Sequence, residues 1–326
     1  MERAPSAIST RQLESWCSYL RVCACIMVIA LHSTGPWLLR DPVGSTNWQI
    51  ANFINSLCRG CVPFFFMLSG HLVAGRNRPL GIYVQKRVLR ILPSFLGATA
   101  VALLYRAAAG DVLKPIDLIS WLWYPAFYHL DFFYGLGIVY FAFAIWTPAT
   151  SRPILGATGC LILAVVFGYV LAPKTSGAIS HALYYVGYLA FAVGGHFAGR
   201  LSVSSSAGRR LGATGVACLV ATGALTYLRS RSGAALDQTY YDYCSPLVAT
   251  GSFLLFISAR HLFPSRAPGS FVKLVDRASL PIYCVHPFII GVIFKTWAIW
   301  TISPLIAIPA VVSFSVAIIL ALVAGI

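Results

Sequence analysis

The apolar residues of this chain come in long blocks instead of alternating with polar ones. Leu, Ile, Val, Ala and Phe dominate 16–35, 60–75, 89–106, 131–148, 154–172, 182–199, 211–228, 244–260, 279–297 and 301–325, and charged or Pro/Gly-rich turns separate them. A segment that is apolar all round and about 20 residues long has the length of a membrane-crossing helix. The pattern therefore predicts an all-α, polytopic integral membrane protein with about ten transmembrane helices. Two further stretches, 48–58 and 117–128, are aromatic and half polar and read as segments lying in the membrane interface, where Trp and Tyr collect. No soluble domain and no internal repeat stands out, so residues 1–326 read as a single transmembrane domain.

Composition agrees. The chain is 58% hydrophobic and only 10% charged, with a mean hydropathy of +0.78, against about 45–50% and roughly 25% in soluble domains. That excludes a soluble enzyme, a disordered chain and a secreted disulfide scaffold. Its nine cysteines sit mostly inside apolar runs, where they act as small packing residues. Cys58 and Cys61 form a C-x-x-C with no second pair at metal-site spacing, so no metal site is expected. The first fifteen residues are polar and the first apolar run lacks a small-x-small cleavage site, so that run is expected to stay as the first span.

The net charge of +15 changes the picture less than it would in a soluble protein, where it suggests nucleic acid. With both termini cytoplasmic, 16 of the 24 Lys and Arg fall on inside segments and eight outside, while six of the nine acids fall outside. The positive-inside rule accounts for that bias without a nucleic-acid partner.

Ionisable groups at membrane depth are candidates for function. The first block, WCSYLRVCACIMVIALHSTGPW, holds Arg21 and His32. Eleven residues turn a helix by about 1100°, three turns and roughly 20° more, so both side chains share one face about 16 Å apart. Either alone fits a snorkelling Arg or a packed His; together they mark one polar face. In YVQKRVLRILP, Arg87 and Arg90 share a helix face and, with Lys86, form a basic cluster that suits phosphates or simply an inside loop. In VPFFFMLSGHLVAG, Ser69 and Gly70 allow close helix approach, and His71 adds a titratable group. HLDFFYGLGIVY places His129 and Asp131 near the outer membrane surface, and LPIYCVHPF places Tyr283 and His286 one turn apart. The intramembrane histidines His32, His71 and His286 point to proton transfer or a proton pathway.

Arg21 and His32 spaced by ten residues, then VPFFFMLSG, KRVLRILP, HLDFFYGLGIVY and LPIYCVHP, occur in one order over residues 12–325. In this the chain resembles the acyltransferase-3 family, membrane enzymes that acylate sugars of bacterial surface polysaccharides. It is most similar to the short, stand-alone type that O-acetylates enterobacterial common antigen and related glycans. The resemblance implies acyl transfer, with acetyl-CoA as donor, to a hydroxyl of a cell-surface or lipid-linked glycan at the bacterial inner membrane. It implies Arg21 and His32 as the catalytic pair and Arg87 and Arg90, with Lys86, as the site for the donor's phosphates. His129, Asp131, Tyr283, His286 and Ser69 are expected around the substrates. The family often has Trp where Asp131 stands and an aromatic residue where His71 stands. His32 as general base and a covalent acyl-His intermediate are both open. A proton-coupled transporter or glycan exporter fits the ten helices and buried charges as well, though neither inverted repeats nor paired broken helices are evident. A membrane scaffold is a third reading.

Overall fold

The computed structural model describes residues 7–73, 79–122, 124–146, 151–264 and 266–324, with side chains from Ser15 onward apart from that of residue 118. The topology charges Arg3, Arg76 and Arg78 lie outside these residues, as does the side chain of Arg11. In chain order the helices are α1 (Ala7–Ser33), α2 (Gly35–Arg40), α3 (Thr46–Leu57), α4 (Cys61–Val73), α5 (Leu80–Ala108), α6 (Asp131–Ile145), α7 (Pro153–Leu163), α8 (Gly177–Ala198), α9 (Ser205–Gly233), α10 (Pro246–Leu262), α11 (Ser270–Arg277), α12 (Ser279–Trp297) and α13 (Pro304–Ala324). Among the described residues nine helical stretches are long and apolar enough to cross a membrane. The tenth expected crossing, 182–199, is α8. At 22 residues it is about 33 Å long, but two histidines and three tyrosines dilute its hydropathy. It packs on α4, α7 and α10 inside the bundle.

Several expectations are corrected. Residues 48–58, expected in the membrane interface, are packed into the bundle: Trp48, Ala51, Asn52, Asn55 and Ser56 of α3 are buried, and α3 runs on through a 3-10 turn, Cys58–Gly60, into α4 as one stretch long and apolar enough to cross a membrane. Its polar residues serve as interhelical ties, Asn52 Nδ2 donating to the Gly223 carbonyl at 3.0 Å, which a hydropathy profile reads as interfacial. The third helix starts at Leu80, ahead of YVQKRVLRILP and of the apolar block 89–106, so Arg87 and Arg90 sit two to three turns inside α5. The fifth crossing continues beyond α7 as a π-helix, Ala164–Leu171.

Burial sorts the helices into an inner and an outer set. In α5 the buried residues are Tyr83, Ala98, Thr99 and Ala102, while Leu89, Leu92, Leu96 and Leu104 are exposed, as suits a helix solvated by lipid. The first span, by contrast, is mostly buried. Close approach supplies the packing that water would otherwise drive. A Cβ on Gly70 would lie 1.7 Å from the Ala192 carbonyl oxygen, and one on Gly195 would lie 2.2 Å from that of Met67. The backbones of α4 and α8 touch there, the use expected for Gly70.

Candidate active site

His32 sits in the last turn of α1, whose final carbonyls need partners in a medium without water. Side chains supply them. The Leu31 carbonyl accepts from Thr34 Oγ1 at 2.7 Å and from Asn55 Nδ2 at 3.3 Å. Asn55 Nδ2 also donates to Thr34 Oγ1 at 2.6 Å, and its Oδ1 accepts from Arg59 Nε at 2.8 Å. Arg59 in turn donates to the Tyr241 carbonyl at 3.0 Å and lies 4.1 Å over the Tyr241 ring. The backbone that carries His32 is thus tied to α3 and to the start of the 239–262 stretch.

Two further histidines stand beside it. The rings of His32 and His286 are 5.1 Å apart, and those of His286 and His129 are 5.7 Å apart. Tyr128 Oη approaches His32 Nδ1 at 3.4 Å. His286, wholly buried on α12, donates through Nδ1 to the carbonyls of Ile282 and Tyr283 at 3.0 and 2.9 Å. His129 lies in a 3-10 turn, Tyr128–Leu130, that leads into α6. Its Nε2 donates to the Cys284 carbonyl at 3.0 Å, and Tyr283 Oη donates back to the His129 carbonyl at 2.9 Å. This reciprocal clamp fixes α12 against the 128–130 turn. Among the described residues no cluster of His, Cys, Asp and Glu has the arrangement to hold a metal ion.

The other end of the α1 polar face is cationic. Arg21 pairs with Asp276 of α11, and Ser18 Oγ donates to the same carboxylate at 2.9 Å. The guanidinium of Arg87 lies 5.0 Å over the Tyr140 ring. Arg21, Arg87 and Arg90 line one cleft of about 670 Å³, open mouth included, with Ser69, Tyr140, Ser279 and Tyr283 among apolar residues of α4, α5 and α6. Three guanidinium groups around one cleft each offer several donors in a planar fork, a geometry that suits anions. Tyr283 lines this cleft and stands with its ring 5.8 Å from that of His286. It is the physical link between the cationic cleft and the histidines.

The structure therefore gathers Arg21, Arg87, Arg90, Ser69 and Tyr283 around the cleft and His32, His129 and His286 beyond it. Lys86 is exposed and absent from the cleft lining. Asp131 turns to α8, where Tyr185 Oη donates to it at 2.7 Å. His71 does not join the other histidines: its ring lies tilted against Trp16 and edge-on to Phe256, and it abuts Gly199. His129, expected near the outer membrane surface, is the third member in place of His71 and is buried among the helices. The reading from sequence also missed Asp276, Tyr128 and Asn55. A signal for Asp276 existed, since a half-buried Arg in the membrane needs a carboxylate and Asp276 is one of the few acids on the basic side.

Comparison with curated proteins and with solved structures gave no match. The family model for the acyltransferase 3 domain, described as an acyltransferase domain, matches residues 14–324. That span takes in the arginine cleft, the three histidines and every crossing helix, and the chain belongs to the acyltransferase 3 family of membrane-bound acyltransferases.

Proposed function

We propose that this acyltransferase moves an acetyl group from acetyl-CoA to a sugar hydroxyl of a cell-surface or lipid-linked glycan, at a bacterial inner membrane with the arginine end cytoplasmic. The observation that carries the reading is the cleft that joins Arg21, Arg87 and Arg90 to Tyr283 and so to the histidines. Coenzyme A presents phosphates at one end and a thioester at the end of a long flexible arm. The guanidinium groups suit the phosphates, and the arm extends along the α1 face, where Arg21 and His32 are about 16 Å apart.

At the far end His32 acts as general base. The hydroxyl oxygen attacks the thioester carbonyl carbon, and the hydroxyl proton passes to His32 Nδ1. The C–O bond forms as the C–S bond breaks. The proton then goes to the departing thiolate, giving the ester and free CoA thiol. Tyr128, whose hydroxyl faces that nitrogen at 3.4 Å, occupies the position that the acceptor hydroxyl takes. Lys86 is left out of the donor site, and Asp131 is an interhelical tie.

The test is a transfer assay with radiolabelled acetyl-CoA and membranes containing the protein, followed by mass analysis of the glycan. His32→Ala is expected to lower transfer by about 10²–10⁴-fold at unchanged protein level. Full activity in that variant would refute the role of His32, and absence of an added acetyl mass on any glycan would refute the acceptor class.

A further inference from the structure

His286 is the middle ring of the three and is wholly buried. Because its Nδ1–H is committed to the carbonyls of Ile282 and Tyr283, a neutral imidazole keeps Nε2 as a bare lone pair. That Nε2 is buried and has no hydrogen-bond partner. Native structures satisfy most buried polar atoms, and an exception calls for a reason. With Nδ1 tied to its own helix, Nε2 faces away from it, among neighbours that include the rings of His32 at 5.1 Å and His129 at 5.7 Å.

The two neighbours differ in what they can offer. His129 has given its N–H to the Cys284 carbonyl, and its Nδ1 is another buried, unpartnered acceptor. It has no proton to donate. His32 is approached at Nδ1 by the Tyr128 hydroxyl, which as donor makes Nδ1 the accepting nitrogen and puts the ring proton on Nε2. Of these three rings, His32 is the one with an N–H not committed to a backbone carbonyl.

We propose that His286 is the positioning residue of His32: its Nε2 lone pair receives the Nε2–H of His32, holding the tautomer whose Nδ1 meets the acceptor hydroxyl. This rests on the reading of His32 as base. As the hydroxyl proton arrives on Nδ1, the imidazole becomes a cation and its Nε2–H becomes a stronger donor. His286 accepts that bond without itself gaining or losing a proton. The arrangement parallels the orienting acid of a catalytic triad, with a neutral acceptor where the triad has a carboxylate.

Two substitutions separate this role from a structural one. His286→Asn keeps an N–H at the δ position for the Ile282 and Tyr283 carbonyls and deletes the ε acceptor. His286→Gln gives up the δ donor and keeps an acceptor at the ε position. Each is measured for kcat, for KM toward acetyl-CoA, and for the rate at which diethylpyrocarbonate acylates His32 in the substrate-free protein, followed by peptide mass spectrometry. The expected result is Gln at least about tenfold above Asn in both kcat and His32 labelling, with KM for acetyl-CoA unchanged in both. Asn equal to or above Gln in either measurement overturns the proposal, because a merely structural tie predicts that order. The labelling rate needs no turnover. It therefore tests the contact between the two histidines even if acetyl transfer itself fails.

Discussion

The ion pair between Arg21 and Asp276 allows a test that separates holding the fold from binding the donor. Both side chains are 20% exposed, between a surface pair, worth about 0.2–1 kcal/mol, and a buried one, where removing a partner costs about 3–5 kcal/mol. A coupling of about 2 kcal/mol follows. Arg21→Gln and Asp276→Asn each leave an uncompensated charge; the double variant leaves none. With unfolding entropy of about 2 cal/mol/K per residue, 2 kcal/mol corresponds to about 3 °C over 326 residues. Each single variant is thus expected to melt about 3 °C lower, and the double variant to recover most of that loss. Donor binding is expected to behave differently. One charge-assisted contact to a phosphate is worth about 1.5–3 kcal/mol, so losing Arg21 raises KM for acetyl-CoA by about 10–150-fold, with or without Asp276. The assay is thermal unfolding alongside acetyl-transfer kinetics for all four proteins. If the double variant recovers KM together with stability, Arg21 is a structural half of an ion pair and its assignment to the donor site is wrong.

The cleft makes a contrast among neighbouring cations. Arg87→Gln with Arg90→Gln is expected to raise KM for acetyl-CoA at least tenfold, while Lys86→Gln, exposed and off the cleft, should leave it within about twofold; equal effects would reduce the cluster to a topology signal. At the contact of α4 and α8, Gly70→Ala places a methyl 1.7 Å from the Ala192 carbonyl oxygen, an overlap that backbone shifts must relieve at about 1–3 kcal/mol or more. A melting temperature equal to that of the wild type would show that the two helices are not held at this distance.

The parts that sequence reveals are those that depend on one helix at a time. Each of the ten apolar blocks falls on a helix, α8 among them, and the eleven-residue spacing of Arg21 and His32 puts them on one face because helix geometry alone decides it. The parts that stay hidden depend on where helices meet. The closeness of His129 to His286 depends on how the 3-10 turn before α6 meets α12, which no single block of sequence displays. Asp276 is 255 residues from Arg21 on an eight-residue helix too short to register as a block. Residues 48–58 carry Asn and Ser, which lower hydropathy in water-based scales; inside a bundle the same groups are the interhelical bonds.

The same distinction bears on how the two ends of α1 work. At the histidine end the bonds that hold the backbone are to partners that an incoming substrate does not replace: Leu31 to Asn55, Asn55 to Arg59, Arg59 to the Tyr241 carbonyl, Tyr283 to His129. Such bonds hold the geometry before any ligand arrives, which is what stabilising a developing charge demands. At the arginine end the partner is a carboxylate, and a phosphate offers the same acceptor oxygens with more charge. On the proposed reading Asp276 yields Arg21 to the donor, one set of acceptor oxygens replacing another. On the proposed reading the chain keeps its chemistry at the rigid end and places its exchangeable contact about 16 Å away, so that donor binding does not disturb the base that follows it.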